Sequence, residues 1–168
     1  MTSLESVLDR MREQLAFRDG VQKVAIADIL GAREFPALME EYAAESAVEG
    51  MPPPQAKIEN YAPMEYTGSL HSFAAARDGR LIGFITVLAP ILPHYNVAFA
   101  VAESFFVAAA HRKGGIGLRL MAAAEDQAEE LGSPGLFVCT PIAGRLFEIL
   151  PRRGYVETNR VFFKRLGQ

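Results

Sequence analysis

The residues best suited to chemistry form a basic, glycine-rich turn, Arg112 to Gly117. A bulky, β-branched stretch ending at Val107 precedes the turn, and an amphipathic helical pattern follows it at once. Glycines lack the Cβ atoms that would keep a ligand from the backbone, and the first amides of a helix have no partner inside it. The turn therefore predicts an anion site that suits a pyrophosphate, with the helix dipole behind it and Arg112 and Lys113 beside it.

The spacing of the turn differs from two common phosphate-binding loops. The glycines do not follow the Gly-x-Gly-x-x-Gly pattern of dinucleotide-binding folds, and no Gly-x-x-x-x-Gly-Lys-Ser/Thr is present. The turn reads Arg-x-x-Gly-x-Gly, with Arg112, Gly115 and Gly117 in the fixed positions and Val107 five residues before the arginine. The alternative interpretation is a strand-to-helix turn that binds no ligand.

This segment resembles the acetyl-CoA-binding segment of the GNAT superfamily of N-acetyltransferases, which is written Gln/Arg-x-x-Gly-x-Gly/Ala after a strand ending in valine. The resemblance covers about residues 21–164, most strongly 103–131. It implies that two neighbouring strands, Ala102 to Ala109 and Leu136 to Thr140, splay apart around the pantetheine arm of acetyl-CoA, the acyl donor. The cofactor-binding residues that it implies are Phe105, Phe106, Val107, Arg112, Lys113, Gly114, Gly115, Ile116, Gly117 and Leu118.

In such a cleft, backbone groups near Phe106 and Val107 would bind the pantetheine amides like an added strand. One strand N–H near Phe105 or Phe106 would polarise the thioester carbonyl, which acyl transfer requires.

An acceptor amine must lose a proton before it attacks, so a base is needed. Glu103 is the predicted catalytic base, because it lies upstream of Val107 on the same strand, where many family members carry an acidic residue. The alternative interpretation of Glu103 is a surface carboxylate at a strand end. His94 and Tyr95, in one loop, are other candidates for the base. His71 and His111 are interpreted as flanking residues.

The family's usual general acid, a tyrosine, is absent. The segment from Ala143 to Phe147 matches an Ala-x-x-Leu-Tyr motif with Phe147 in the tyrosine position, and alignment from the following Gly-Tyr puts Leu150 there instead. Neither can donate a proton. The thiolate would leave unassisted or take a proton from water, with Tyr155 a remote substitute. This departure also supports a second hypothesis, a non-catalytic acyl-CoA-binding or interaction domain.

Composition narrows the class of protein. The length of 168 residues suits one domain, and the net charge of −3 argues against nucleic acid as the main partner. Cys139 is the only cysteine, so no internal disulfide can form, and its apolar neighbours predict a buried strand position rather than a catalytic thiol. With charged residues near the N-terminus and no membrane-length apolar run, the sequence predicts a cytoplasmic protein without a membrane partner.

Residue periodicity predicts an α/β (α+β) fold with a mixed, mostly antiparallel sheet flanked by helices. The predicted helices are Leu4–Arg18, Ala32–Val48, a short one within Gln55–Gly68, Leu118–Leu131 and Ile142–Leu150. The predicted strands are Val21–Ile29, Ser72–Arg77, Leu81–Leu88, Asn96–Val107 with a bulge, Leu136–Thr140, Tyr155–Glu157 and Arg160–Lys164. We expect residues 1–20 to be a helical extension, able to pack on its own domain or on a second copy in a homodimer, and residues 21–168 to be a single domain.

The second predicted helix carries an acidic face, which indicates either a solvated surface or part of an acceptor pocket that attracts a cationic amine. Its acids are Glu34, Glu40, Glu41, Glu45 and Glu49. The function predicted is an acetyl-CoA-dependent N-acetyltransferase acting on a primary amine of a small molecule or a protein. We expect the acceptor pocket to be built from Met39 to Tyr66, the His94 loop and the final hairpin. An enzyme that binds a nucleotide phosphate is the third hypothesis. It is disfavoured because no acidic residue follows the turn at the spacing from which dinucleotide-binding folds contact the ribose.

Overall fold

The computed structural model describes residues 17–141 and 144–166. The helices are α1 (Ile26–Gly31), α2 (Phe35–Ser46), α3 (Ile58–Tyr66), α4 (Ile116–Glu130) and α5 (Arg145–Ile149). The strands are β1 (Gly20–Val24), β2 (Leu70–Arg77), β3 (Arg80–Leu88), β4 (Ile91–Leu92), β5 (Val97–Ala98), β6 (Ala100–Val107) and β7 (Leu136–Val138). Nearly all of the predicted helix Leu4 to Arg18 lies outside the described residues. That helix, the extension and the homodimer stay predictions.

The main sheet has the strand order β1-β2-β3-β6-β7. Its neighbours are antiparallel except for β6 and β7, which pair in parallel. The hairpin between β2 and β3 turns at Asp78 and Gly79, both with positive φ, as the Asp-Gly sequence predicts. The predicted mixed, mostly antiparallel fold flanked by helices is confirmed.

Each face of the sheet is covered by helices. Helix α4 packs on one face through Ile116, Leu120 and Ala124, whose spacing gives the helix an apolar stripe. Helices α1 and α2 cover the other face, where Ile29 and Leu38 pack with strand residues. None of the helices in the described part of the chain is long and apolar enough to cross a bilayer.

The first predicted strand is too long. Val21 to Ile29 was expected to be extended, but the strand ends at Val24 and helix α1 begins at Ile26. Two carboxylates bind the amides at this helix start: Asp28 accepts from the Ala25 N–H at 3.2 Å and Glu65 accepts from the Ile26 N–H at 2.7 Å. Ile26 and Ile29, one turn apart, are both buried. Long-range capping by Glu65 cannot be read from the local pattern.

The C-terminal predictions are also wrong in part. Residues 155–166 contain no strand, so the predicted pair Tyr155–Glu157 and Arg160–Lys164 does not form, and the Phe162 side chain is 89% exposed. The predicted strand Leu136 to Thr140 ends at Val138, and Cys139 is exposed rather than buried. Because β7 has only three residues, it offers a following strand little backbone to pair with.

Candidate active site

The predicted phosphate turn connects β6 to α4. Gly114 has φ +91° and Gly115, the N-cap of α4, has φ +75°, a region in which side chains cause strain. A Cβ at either glycine would meet no atom of the described structure within 4 Å, so the space in front of the turn is open. The glycines are therefore required by backbone conformation, and they leave the turn accessible to a ligand.

The amides of this turn point to an anion site. No backbone or side-chain acceptor among the described residues binds the N–H groups from Lys113 to Leu118, and no side chain caps α4. The first bond that closes the helix runs from the Arg119 N–H to the Gly115 carbonyl at 3.1 Å. The exposed Lys113 side chain adds positive charge nearby. Free amides and the positive end of a helix dipole suit a phosphate group.

Arg112 holds the turn in place through its own side chain. Its Nε donates to the Val107 carbonyl at 2.8 Å, one terminal nitrogen donates to Glu45 at 2.6 Å, and the guanidinium lies 5.3 Å from the Phe106 ring centroid. Glu41 on the same helix as Glu45 accepts the Ala109 N–H at 3.1 Å. These two acids of α2 are exposed to solvent, and each also has a partner in the segment before the turn. They fasten the segment before the turn to α2.

The pairing of β6 with β7 ends after three residue pairs, because β7 itself ends at Val138. No β7 residue lies opposite Phe105 or Val107, and we call this unpaired edge of β6 the gap. The Ser104 N–H donates to the Thr86 side chain on β3. Because successive amides of a strand alternate in direction, the N–H groups of Phe105 and Val107 point away from β3, towards the gap. Of the two amides predicted to polarise a thioester, that of Phe105 has the right direction.

A β-bulge at Glu103 sets the orientation of the end of β6. Ser104 pairs with Thr86 and Ala102 pairs with Val87, so Glu103 is an extra residue in β6. Before the bulge, Ala102 packs towards α4, whereas after it the even-numbered Phe106 packs towards α2. The bulge thus reverses the alternation of faces. The predicted strand with a bulge is confirmed, although it begins at Ala100.

The Glu103 carboxylate lies in a network of hydroxyl groups on the α2 face of the sheet. Its Oε2 accepts from the Thr86 hydroxyl at 2.8 Å and from the Ser104 hydroxyl, and its Oε1 accepts from the Tyr61 hydroxyl at 3.3 Å. Thr86 is buried, whereas Glu103 is exposed. Two hydrogen bonds thus fix Oε2, and Oε1 has capacity for another donor.

Glu103 borders two cavities. The first, of about 190 Å³, extends from Glu103, Thr86 and Tyr61 to apolar side chains of α1 and α2. The second, of about 180 Å³, shares Gln55, Tyr61 and Glu103 with the first and continues to Leu88. The carboxylate therefore lies at two cavities that open to solvent, next to the point where the pairing of β6 with β7 ends.

The same carboxylate affects two tyrosines. Burial, together with the Glu103 charge and hydrogen bond, raises the pKa of Tyr61 to about 12. Burial, and then the Glu103 charge, also raises the pKa of Tyr42. Both hydroxyls keep their protons near neutral pH, so they act there as hydrogen-bond donors and leave Glu103 as the carboxylate of the site.

Comparison with known proteins decides the family. The profile of the Acetyltransferase (GNAT) family matches residues 35–147. The chain belongs to the GNAT acetyltransferase family. The match spans β6, the glycine turn and α4, which carry the geometry above. A search of curated proteins by sequence gave no match.

Solved GNAT structures share the fold at low identity. A ribosomal-protein-alanine N-acetyltransferase from Brucella melitensis biovar Abortus 2308 is 19% identical, with a TM-score of 0.64 over 88% of this chain and 98% of that one. A predicted acetyltransferase from Clostridium acetobutylicum, solved with acetyl-CoA, is 13% identical, with a TM-score of 0.66 over 86% and 94%. The aminoglycoside N-acetyltransferase AAC(6')-Iy, solved with CoA, is 18% identical, with a TM-score of 0.64 over 88% and 99%.

The other candidates for the base of this GNAT protein lie elsewhere. The rings of His94 and Tyr95 meet edge to face, and the Tyr95 ring also contacts Phe99. Neither His94 nor Tyr95 lines the cavities beside Glu103. His71 lies on β2, where burial and then the Lys23 charge lower its pKa. His111 belongs to a short 3₁₀ turn before Arg112. Of these residues, the structure brings only Glu103 to the cavities.

The tyrosine position of the GNAT motif offers no acid here. Phe147 is 45% exposed, and Leu150 is buried in the core against α4. The hydroxyl of Tyr155 donates to Glu125 of α4 at 2.9 Å, and the second oxygen of Glu125 binds Arg153. Burial and this hydrogen bond raise the pKa of Tyr155. The Tyr155 hydroxyl therefore donates its proton in a hydrogen bond to Glu125. Glu125 does not line either cavity beside Glu103.

Sequence reasoning missed the groups around Glu103. Thr86 is a single polar residue near the end of an apolar strand, which was a signal of a polar site. Ser104 is the neighbour of Glu103. Tyr42 and Tyr61 reach the site from α2 and α3, within the range Met39 to Tyr66 expected to form the acceptor pocket, but no spacing in the sequence singled them out.

Proposed function

We propose that the protein transfers the acetyl group of acetyl-CoA to a primary amine of a small molecule or a protein. The observation that carries the proposal is the end of the pairing between β6 and β7 directly beside Glu103. The gap leaves a route for an extended thioester next to a carboxylate and an open cavity for an acceptor. The free amides at the start of α4 lie at the other end of the same strand.

The chain's own residues divide the binding of the donor. The amides from Gly114 to Leu118 hold the diphosphate, and Lys113 adds charge. The backbone of Phe105 to Val107 binds the amides of the arm as an added strand would. The Val107 carbonyl is already occupied by Arg112, so its N–H and the Phe105 backbone are the groups that remain. Bound acetyl-CoA supplies the activated acyl group.

The Phe105 N–H polarises the thioester carbonyl and stabilises the negative charge that develops on its oxygen. Glu103 removes the proton of the acceptor ammonium through Oε1, directly or through one water. Thr86 and Ser104 hold the carboxylate by Oε2 and so fix the direction in which Oε1 points. The C–N bond forms and the C–S bond breaks, the amine nitrogen loses its second proton to water, and the departing thiolate takes a proton from water.

The acceptor is a primary amine in this proposal because Glu103 attracts an ammonium ion and can then deprotonate it. The fold relatives include one protein named for ribosomal-protein alanine and another named for aminoglycosides, both amine acceptors. The single cysteine of the chain suits a reducing, cytoplasmic location.

The test is release of CoA thiol from acetyl-CoA, with and without each member of an amine panel, using the full chain. We expect release that depends on the amine, together with an acetylated amine detected by mass spectrometry. CoA binding measured by calorimetry provides the second readout.

A non-catalytic acyl-CoA-binding domain is the second candidate, because no hydroxyl fills the tyrosine position of the GNAT motif. It predicts CoA binding without amine-dependent thiol release from any member of the panel. That result would refute the enzyme while leaving the binding site in place.

A further inference from the structure

We infer that the acceptor is a monoamine with an apolar skeleton, an alkyl or arylalkyl amine, whose ammonium binds Glu103 in the cavity of about 190 Å³. This inference rests on the proposed function of that site and narrows it to one class of substrate. Three features of the cavity carry the inference: the separation of polar from apolar lining, the number of carboxylates and the volume.

The cavity has a polar region and an apolar region. Glu103, Thr86, Ser104 and Tyr61 are joined by hydrogen bonds and form the polar region. Helices α1 and α2 supply the apolar region, with Ile29, Leu30, Phe35 and Met39. An amine held at Glu103 therefore extends its carbon skeleton over apolar side chains, where burial of each CH₂ group contributes about 0.8 kcal/mol.

Glu103 is the only carboxylate that lines this cavity among the described residues. Three acids on neighbouring elements have other partners: Glu45 binds Arg112, Glu41 binds the Ala109 N–H, and Glu65 binds the Ile26 N–H. A second ammonium of a polyamine or an aminoglycoside that entered the apolar region would lie there without a counter-charge. Burying an unpaired charge is costly, so the cavity disfavours polycations.

The volume also favours a small acceptor. Pockets for drug-sized ligands measure about 300–1,000 Å³, and this cavity is smaller. The adjacent cavity adds Asn60, Met64 and Leu88 to the shared residues, and it contributes no further carboxylate. Occupying both would lengthen the acceptor without providing a site for a second positive charge.

The first experiment compares amines on the wild-type full chain with two readouts. The panel contains hexylamine and phenethylamine as apolar monoamines, ethanolamine as a polar monoamine, and putrescine and kanamycin as polycations. An alanyl peptide with a free N-terminus represents a protein acceptor. We measure the affinity of each amine for the CoA-saturated protein by calorimetry, and kcat/KM with acetyl-CoA by thiol release. We expect both quantities to favour the apolar monoamines at least tenfold.

The second experiment adds a carboxylate to the apolar region. Met39 lies on α2, one helical turn before Tyr42, and is partly buried in the cavity wall. We expect Met39→Glu to lower affinity and kcat/KM for hexylamine at least tenfold, and to raise both for 1,6-diaminohexane. Met51→Glu adds the same charge at an exposed residue outside both cavities and should change neither ratio.

The outcomes separate the two proposals. If apolar amines bind preferentially to the CoA-saturated protein but no thiol is released, the enzyme proposal fails and the substrate class stands. If kanamycin, putrescine or the peptide exceeds the apolar amines, the substrate class is overturned while acetyl transfer stands. Absence of binding and turnover for the apolar amines also overturns the class. The wild-type panel decides these points even if Met39→Glu does not fold.

Discussion

The two halves of the site are built in opposite ways. The glycine turn consists of six consecutive residues, Arg112 to Gly117, and offers mainly backbone amides. The cavity beside Glu103 collects side chains from α1, α2, α3, β3, β6 and a loop at Pro54 to Ala56. A backbone site depends on local conformation and resists most side-chain changes. A cavity of side chains depends on the tertiary fold and can change its specificity through single substitutions.

The largest effect should come from blocking the backbone site. We expect Gly117→Glu to weaken CoA binding roughly 100-fold or more, because a carboxylate near the amides repels the diphosphate and occupies its space. A Cβ at Gly117 would lie 3.5 Å from the Phe105 ring, an ordinary contact, so the fold should persist. Calorimetry with CoA measures the change.

Gly135→Glu is the matched control, because a Cβ there meets nothing within 4 Å and the residue precedes β7, away from the turn. Circular dichroism of both variants tests whether they are folded. Unchanged CoA affinity in Gly117→Glu would exclude the turn as the diphosphate site.

The next largest effect should come from the side-chain half. We expect Glu103→Gln to lower kcat roughly 100-fold to 10,000-fold, because the amide cannot accept the proton of the ammonium. CoA affinity should change little, since the amides of the turn are unaffected. A loss of CoA affinity that parallels the loss of kcat would show that the two halves are not separable. Glu125→Gln, on the α4 side, is the control.

Arg112 tests the connection between the two halves. We expect Arg112→Lys to lower the free energy of unfolding by about 1–2 kcal/mol, because an ammonium cannot bind the Val107 carbonyl and Glu45 together and stack on Phe106. CoA affinity should fall less than tenfold. Urea denaturation measures stability.

Arg153→Lys is the matched control. Arg153 pairs with Glu125 at the same 2.6 Å as Arg112 with Glu45, and its exposure is similar. We expect a change within about 0.5 kcal/mol. If Arg112→Lys weakens CoA binding 100-fold while stability is unchanged, Arg112 contacts the diphosphate directly.

The smallest effect concerns Tyr61 and pH. Its folded-state pKa is about 12, above the ordinary value of 10, so between pH 10 and 12 the unfolded chain binds fewer protons. The stability that this difference contributes is complete below pH 10 and lost as the pH rises towards 12. We expect the free energy of unfolding to decline about 1 kcal/mol less in Tyr61→Phe than in the wild type over this pH range. Partial exposure of Tyr61 makes the difference smaller than the pKa difference alone would give.

Urea denaturation of both proteins from pH 8 to 12 measures the difference. Tyr66→Phe is the control, because the Tyr66 ring is 93% exposed. An unchanged decline in Tyr61→Phe would mean that burial and the Glu103 charge do not raise the pKa of Tyr61.

The same contrast explains how far sequence reasoning succeeded. The turn could be predicted because the conformations of Gly114 and Gly115 are tied to residue type, and because β6 and α4 adjoin it in the chain. The position of Glu103 on β6 could be predicted from the strand pattern, and its role as base stays a prediction. The sequence did not indicate that Arg112 would bind Val107 and Glu45, since Glu45 lies 67 residues away. For the same reason the sequence indicated only the range that contains the tyrosines of the cavity, not the tyrosines themselves.

The failures at the strand ends have a common cause. Ile26 to Ile29 alternates in a way that suits either a strand or a helix, and the distant Glu65 carboxylate decides for the helix. Beyond residue 155, apolar residues such as Val161 and Phe162 suit a strand, but the three-residue β7 gives that strand little to pair with. In both segments the residues suit a strand, but the presence or absence of a tertiary partner determined the structure.

The bulge at Glu103 also restricts how this site can change. Because Glu103 is the inserted residue, shortening β6 by that residue would keep Ala102 opposite Val87 and Ser104 opposite Thr86 but remove the carboxylate from the cavities. The proposed base is thus carried by a single backbone irregularity. The walls of the cavity can change one residue at a time, whereas the proposed base is kept only if β6 keeps its inserted residue.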